Sequence, residues 1–179
     1  MRASLTSPSL PPFIAAAEQF IGVVEGASSV PVGHLLQRAE RALLELYLTA
    51  LALPEGDLSD RHDWGGRLPH EAWARVHDEL QAALGACAHY WEVFDPASLG
   101  DPAGAVEGGD QPVVASLADD LADIWRDLTP GIRAWASAGV AERRDIVWVW
   151  RESFSSHWGQ HLADGLRAIH WMRHVHHVE

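Results

Sequence analysis

SLADDLADIWRDL (116–128) and WVWRESFSSHWGQHLADGLRAIH (148–170) decide how this chain folds. Both carry apolar residues at helical spacing. In the first, Leu117, Leu121, Ile124 and Leu128 form one stripe, and Asp120, Asp123 and Asp127 form a second about 100° round from it. Asp119 and Arg126 fall further round, toward solvent. In the second stretch, Val147, Phe154, Trp158, Leu162 and Ile169 define the apolar stripe, with Trp150, His157, His161 and Asp164 along its border. Glu152, Ser156, Gln160 and Arg167 take the wet side. The short link around Gly139 predicts a helical hairpin from Ser116 to about Val175. With the turn centred between Gly139 and Val140, Asp123 lies level with Ser156 and Asp120 with Gly159, so His157 and His161 bracket the carboxylates. Gly159 is expected to let the two backbones approach closely.

This places titratable groups at one height on two arms that must pack together. His157 and His161 are one turn apart, so two imidazoles can converge on one point. Three readings stay open. Asp–His and Asp–Arg151 hydrogen bonds tie the helices together, since buried polar groups need partners. Alternatively, the carboxylates and imidazoles hold one divalent metal ion, as facing helices of bundles do. In the third, the metal or the acids perform catalysis. Asp120, Asp123, His157 and His161 are the candidate metal ligands, and Glu40, Asp127, Arg151 and Asp164 are candidates for binding a small ligand. The one cofactor these residues suggest is a single divalent metal ion, and the sequence names no other.

Working outward, a first helix is expected from about Pro12 to Glu25, with Phe13, Ala17, Phe20 and Val24 on one face. A second runs from Pro31 to Leu53 and stops at Pro54. Leu36, Leu43, Leu44, Tyr47 and Leu51 share its stripe, and Leu35, Leu46 and Leu48 widen it. Such breadth predicts a central helix with neighbours on several sides. Glu40 falls within that stripe. A third helix is expected from Pro69 to Phe94, with Cys87 filling a tight packing position. Residues 1–11 read as frayed, residues 55–67 as a loop, and residues 95–115 as a long acidic Gly/Pro loop. Ser116 is a good N-cap, and Pro130 should kink or divide the fourth helix, although Ile132 and Trp135 read as its continuation towards Ser137. The fifth begins near Val140 and runs past His174, whose neighbours His176 and His177 read as a solvated end. No β-alternation of useful length is found. The expectation is one all-α domain over 1–179, an antiparallel bundle of about five helices.

Bulk properties narrow the partners. The net charge of −12 offers no basic stripe for nucleic acid or an anionic membrane. Every strong base is Arg, with no Lys or Asn, which coding bias explains. Cys87 is the single cysteine, so neither an intramolecular disulfide nor a cysteine-rich zinc cluster can form. The longest apolar run, ALLELYLTALAL, is interrupted by Glu45. Pro11 and Pro12 break any signal-peptide pattern, and a reduced cytoplasmic setting is expected.

Two enzyme patterns fit only in part. DDLADI resembles the second acidic motif of the all-α nucleoside triphosphate pyrophosphatases, but their closely spaced upstream glutamates have no match in Glu40 and Glu45. The Glu-x-x-His pairs of a ferritin-like di-iron site are absent from the sequence. The fuller resemblance is to an uncharacterised bacterial family, domain of unknown function 5063. It rests on SLADDLADIWRDL (116–128), W-x-W-R-x-S-F-x-x-H-W-G-x-H (148–161), LRAIH (166–170), YWEVFDP (90–96) and ELYLTALALP (45–54). The resemblance implies an all-helical domain of this length, with no established activity and no assigned catalytic residue. The function expected is therefore metal or small-ligand binding. A non-enzymatic adaptor with a purely structural Asp/His cluster is the alternative, and a metal-dependent phosphohydrolase the third reading.

Overall fold

A computed structural model describes residues 7–55, 66, 68–92 and 112–179. The expectations for residues 1–6, most of 55–67 and most of 95–115 lie outside the described residues. The chain forms α1 (Leu10–Glu25), α2 (Val32–Ala50), α3 (His70–Leu84), β1 (His89–Glu92), β2 (Val113–Ser116), α4 (Leu117–Trp135), α5 (Val140–Ser153) and α6 (Gly159–His170). Prolines 11 and 12 sit in the first turn of α1, where a missing N–H costs nothing. The π-helical turn Phe154–Trp158 joins α5 to α6, and a second, Trp171–Val175, extends α6. The result is one rod from Val140 to Val175, antiparallel to α4. The architecture is an all-α antiparallel bundle with one small two-stranded sheet.

Four expectations are corrected. The third helix does not reach Phe94. Gly85 adopts φ +54°, a left-handed conformation that stops a helix, and a short 3-10 turn then leads into β1. β1 pairs antiparallel with β2, with Trp91 opposite Val114 and His89 opposite Ser116. Trp91 consequently lies on the outer face of a strand, 69% exposed, instead of in a helical core. Pro130 does not divide α4, which runs unbroken through it. Gly131 follows, and a Cβ there would lie 2.6 Å from Trp150 Nε1, so the glycine lets this fully buried indole rest directly on α4.

The third correction concerns α2. It buries Leu35, Leu36, Ala39, Ala42, Leu43, Leu46 and Ala50, but Leu44, Tyr47, Leu48 and Leu51 are exposed. One side of this apolar helix has no neighbour among the described residues. The fourth concerns Gly159. A Cβ on it would meet the Phe154 carbonyl oxygen of its own rod at 2.2 Å, so this glycine serves the π-turn. The close approach to α4 occurs at Gly165, whose Cβ would lie 3.3 Å from Leu117 and 3.7 Å from Asp120 Cβ.

Candidate metal centre

The acidic edge of α4 meets the histidine edge of the rod. Ser116 caps α4 by accepting the Asp119 N–H at 3.2 Å, which fixes where the Asp stripe begins. Asp120 and Asp123 are 5% and 7% exposed, a burial that carboxylates tolerate only with partners. Asp120 Oδ1 accepts from His161 Nδ1 at 2.9 Å, and its Oδ2 accepts the Tyr90 hydroxyl at 2.7 Å. Asp127 Oδ2 accepts from His157 Nδ1, also at 2.9 Å. Asp123 takes neither Nδ1. Its Oδ1 pairs with Arg126 at 2.9 Å, and its Oδ2 stands 3.5 Å from His161 Nε2 and 3.6 Å from His157 Nε2.

A carboxylate only accepts, so each Nδ1 carries its proton, and a neutral ring then aims an Nε2 lone pair at Asp123. The two rings meet edge-on with centroids 4.8 Å apart. Asp123, His157 and His161 each contribute one donor atom to a group lying within 4.8 Å of one another. The backbone makes this possible through the π-turn that contains His157. Asp123 Oδ2 lies between His157 and His161, further along the rod than the Ser156 level that the sequence expectation gave.

Burial and the neighbouring carboxylates shift the titration of the cluster. The hydrogen bond that His161 donates to Asp120 holds the His161 pKa above its ordinary value, against the opposing effect of burial. Burial raises the Asp120 pKa, although His161 and Tyr90 both oppose it. Burial and the Asp120 charge push the Tyr90 phenol upward, so it remains a donor at neutral pH. Behind Tyr90, Glu92 is raised by burial and by Asp164, to which it is hydrogen bonded.

The candidate residues thus separate by position. Asp123, His157 and His161 converge. Asp120 does not face their common point but holds His161 from behind, and Asp127 does the same for His157. Asp164 lies one turn beyond His161 against Glu92. Arg151 bonds no aspartate of α4; it donates to the Leu53 carbonyl at 2.6 Å and pairs with Glu55 at 3.3 Å, anchoring the end of α2. Glu40 is elsewhere, paired with Arg173 and with His174 Nε2 at 2.9 Å, so His174 is no free solvated end. Glu40, His170 and His174 also come within 4.8 Å of one another, but Arg173 already neutralises that carboxylate. Arg126 does not extend into solvent either. It pairs with Asp123 and lies over the Trp73 ring at 5.7 Å. Tyr90 was hidden because the third helix was extended across it; Gly85 and the aromatic run after it were the signals.

A family model described as "Domain of unknown function (DUF5063)" matches residues 6–175. The chain belongs to this family. The crystal structure of protein BF1032 from Bacteroides fragilis is similar, with a TM-score of 0.77 at 20% identity over 93% of this chain and 92% of that one. At that identity the likeness speaks for the fold alone. No curated protein matches this DUF5063 member. No helix among the described residues is long and apolar enough to cross a membrane.

Proposed function

We propose that this protein binds one divalent transition-metal ion through Asp123 Oδ2, His157 Nε2 and His161 Nε2. The observation that supports this best is a pair of distances. A charged N–H···O⁻ hydrogen bond closes to roughly 2.8 Å, yet both Nε2 atoms stand 3.5–3.6 Å from Asp123 Oδ2. Two ligands about 2.1 Å from a tetrahedral ion are themselves roughly 3.4 Å apart. The separation is too long for a hydrogen-bond network and suits a shared ion.

The rest of the constellation fits the same purpose. Metal-binding imidazoles characteristically donate the other ring N–H to a carboxylate, which fixes the tautomer and raises ligand basicity. His161 and His157 do so here, to Asp120 and Asp127. Two imidazoles and one carboxylate suit zinc, iron(II) or manganese, and three protein donors leave positions open for water or a small ligand.

Calorimetric titration of tag-free, metal-stripped protein with Zn²⁺, Mn²⁺ and Fe²⁺ tests this. The expected result is one tight equivalent that vanishes in His161→Ala and survives replacement of His174, His176 and His177 by Ala. Binding that follows the three C-terminal histidines and ignores His161 would overturn the assignment.

A further inference from the structure

The metal centre has a cation built into its edge. Arg126 Nη2 pairs with Asp123 Oδ1 at 2.9 Å, one carboxylate width from the oxygen that faces the two imidazoles. The guanidinium lies over the Trp73 ring at 5.7 Å. That ring is itself stacked between His70 and His77, with centroids 5.2 and 5.1 Å away and planes 22° apart in both pairs. Helices α3 and α4 thus hold the guanidinium from two sides. It is fixed without being enclosed: the side chain is 35% exposed, and the contact with Asp123 engages one of the five N–H donors an arginine carries.

For a site that took only a divalent ion, this placement works against binding. A fixed positive charge competes with the ion for Asp123 and repels it across the width of one carboxylate. The placement becomes favourable once an anion stands between the two. Given the ion proposed above, we infer that the ion and Arg126 together take an oxyanion, the carboxylate or phosphate group of a small molecule. One oxygen rests on the ion and another on the guanidinium. Ion–oxygen contacts of about 2.1 Å and charged hydrogen bonds of about 2.8 Å bring both partners within the span of one such group. Helical geometry sets Arg126 about 60° round α4 from Asp123, on the side opposite Asp120 and Asp127. The imidazoles and the carboxylates behind them occupy one flank of Asp123, and Arg126 holds the other for the incoming ligand. Asp119, Asp120 and Asp123 all act on His161, and Asp127 backs His157. This negative field repels an anion until the ion is in place, so the ion binds first and the anion second.

Calorimetric titration of inorganic phosphate, and separately of acetate, into Zn²⁺-loaded and metal-stripped protein tests this, with chloride at matched ionic strength as the control. At least one of the two anions should bind the Zn²⁺-loaded protein at one equivalent and not the metal-stripped protein; the tighter one identifies the group. By reciprocity, that anion should tighten Zn²⁺ binding. In Arg126→Gln the affinity for the anion should fall roughly tenfold to a hundredfold, the loss of hydrogen bonds to a charged group. Zn²⁺ alone should bind that variant at least as tightly as wild type. An arginine that served only to orient Asp123 would give the opposite sign. Weakened Zn²⁺ binding in Arg126→Gln with unchanged anion affinity would therefore overturn the assignment, as would Zn²⁺-loaded wild type that takes up neither anion. Wild-type protein that binds no Zn²⁺, Mn²⁺ or Fe²⁺ would overturn the metal-binding reading itself. A cooperative thermal melt of the metal-stripped variant checks that it folds.

Discussion

Asp123→Asn separates a metal centre from a hydrogen-bonded clasp. In the absence of metal, Asp123 makes no short bond to either imidazole, and its ion pair with Arg126 joins a buried oxygen to a guanidinium one-third exposed. Such a pair contributes no more than about 1 kcal/mol, and removing one of three clustered negative charges offsets part of that loss. The metal-free melting temperature should therefore move by no more than about 2–4 °C. With metal the outcome differs. An ion at about 1,000 times its dissociation constant stabilises the wild type by roughly 4 kcal/mol, or about 8–16 °C for a chain of this size. Loss of the anionic ligand weakens binding by about 100-fold, the upper part of the range for orienting groups alone. At the same metal concentration the stabilisation then falls to roughly 1.4 kcal/mol. Differential scanning calorimetry with and without Zn²⁺ reads both quantities. An Asp123→Asn protein that keeps the full metal-induced shift would refute the reasoning. So would one that loses about 10 °C without metal while the wild type shows no response to metal.

The supporting residues make separate predictions. Tyr90→Phe removes a hydroxyl 2.7 Å from buried Asp120 Oδ2; leaving that oxygen unpaired should cost about 1–3 kcal/mol and weaken metal binding by less than Asp120→Ala does, as thermal melts and titrations would show. Gly159→Ala forces a Cβ to 2.2 Å from the Phe154 carbonyl and should abolish the π-turn and metal binding together. Gly165→Ala, whose nearest contact is a flexible Leu117 methyl at 3.3 Å, should remain folded in circular dichroism. The raised His161 pKa, held up by Asp120 with Asp123 and Asp119 also facing it, gives a pH signature. Its contribution is complete below the unfolded value of about 6.5 and is lost as pH rises through the higher folded value. The metal-free protein should therefore lose stability between these values more steeply than His161→Gln, while metal affinity rises over the same interval as the competing proton leaves.

The heights of the site residues were legible because a hairpin with a short link and helical geometry leave little freedom. Asp120 pairs with His161, two residues from the level expected from Gly139, and Asp127 pairs with His157, five residues from it. Their roles were not legible. Which carboxylate faces an Nε2 and which an Nδ1 depends on rotamers and on the π-turn, whose i→i+5 bond from Gly159 N–H to Phe154 carbonyl has no signature beyond the glycine itself. β1 was missed for a different reason. His89–Glu92 is too short to show alternation, and its pairing with β2 is non-local. Glu40 falls within the apolar stripe of α2 by spacing, and its partners, Arg173 and His174, lie more than 130 residues away, where spacing along one helix gives no sign of them.

The two histidine arms are not equivalent, and the difference says how an ion would enter. His161 is backed by a buried aspartate that is itself clamped by Tyr90, so its ring has one orientation. His157 is more exposed and is backed by the less buried Asp127. It also sits in the π-turn, where a rod most readily adjusts its winding. A ligand that must both capture an ion from water and hold it needs one mobile donor and one fixed donor. A wholly rigid site would have to strip the ion of its water in one step. Asp123 lies between the two arms, with its second oxygen restrained by Arg126, which leaves Oδ2 the oxygen shared by both imidazoles. With neutral imidazoles, the three aspartates leave a net negative charge that Arg126 offsets only in part. Protonating His161 offsets a further part of that charge, and it would place a donor 3.5 Å from an acceptor it does not reach.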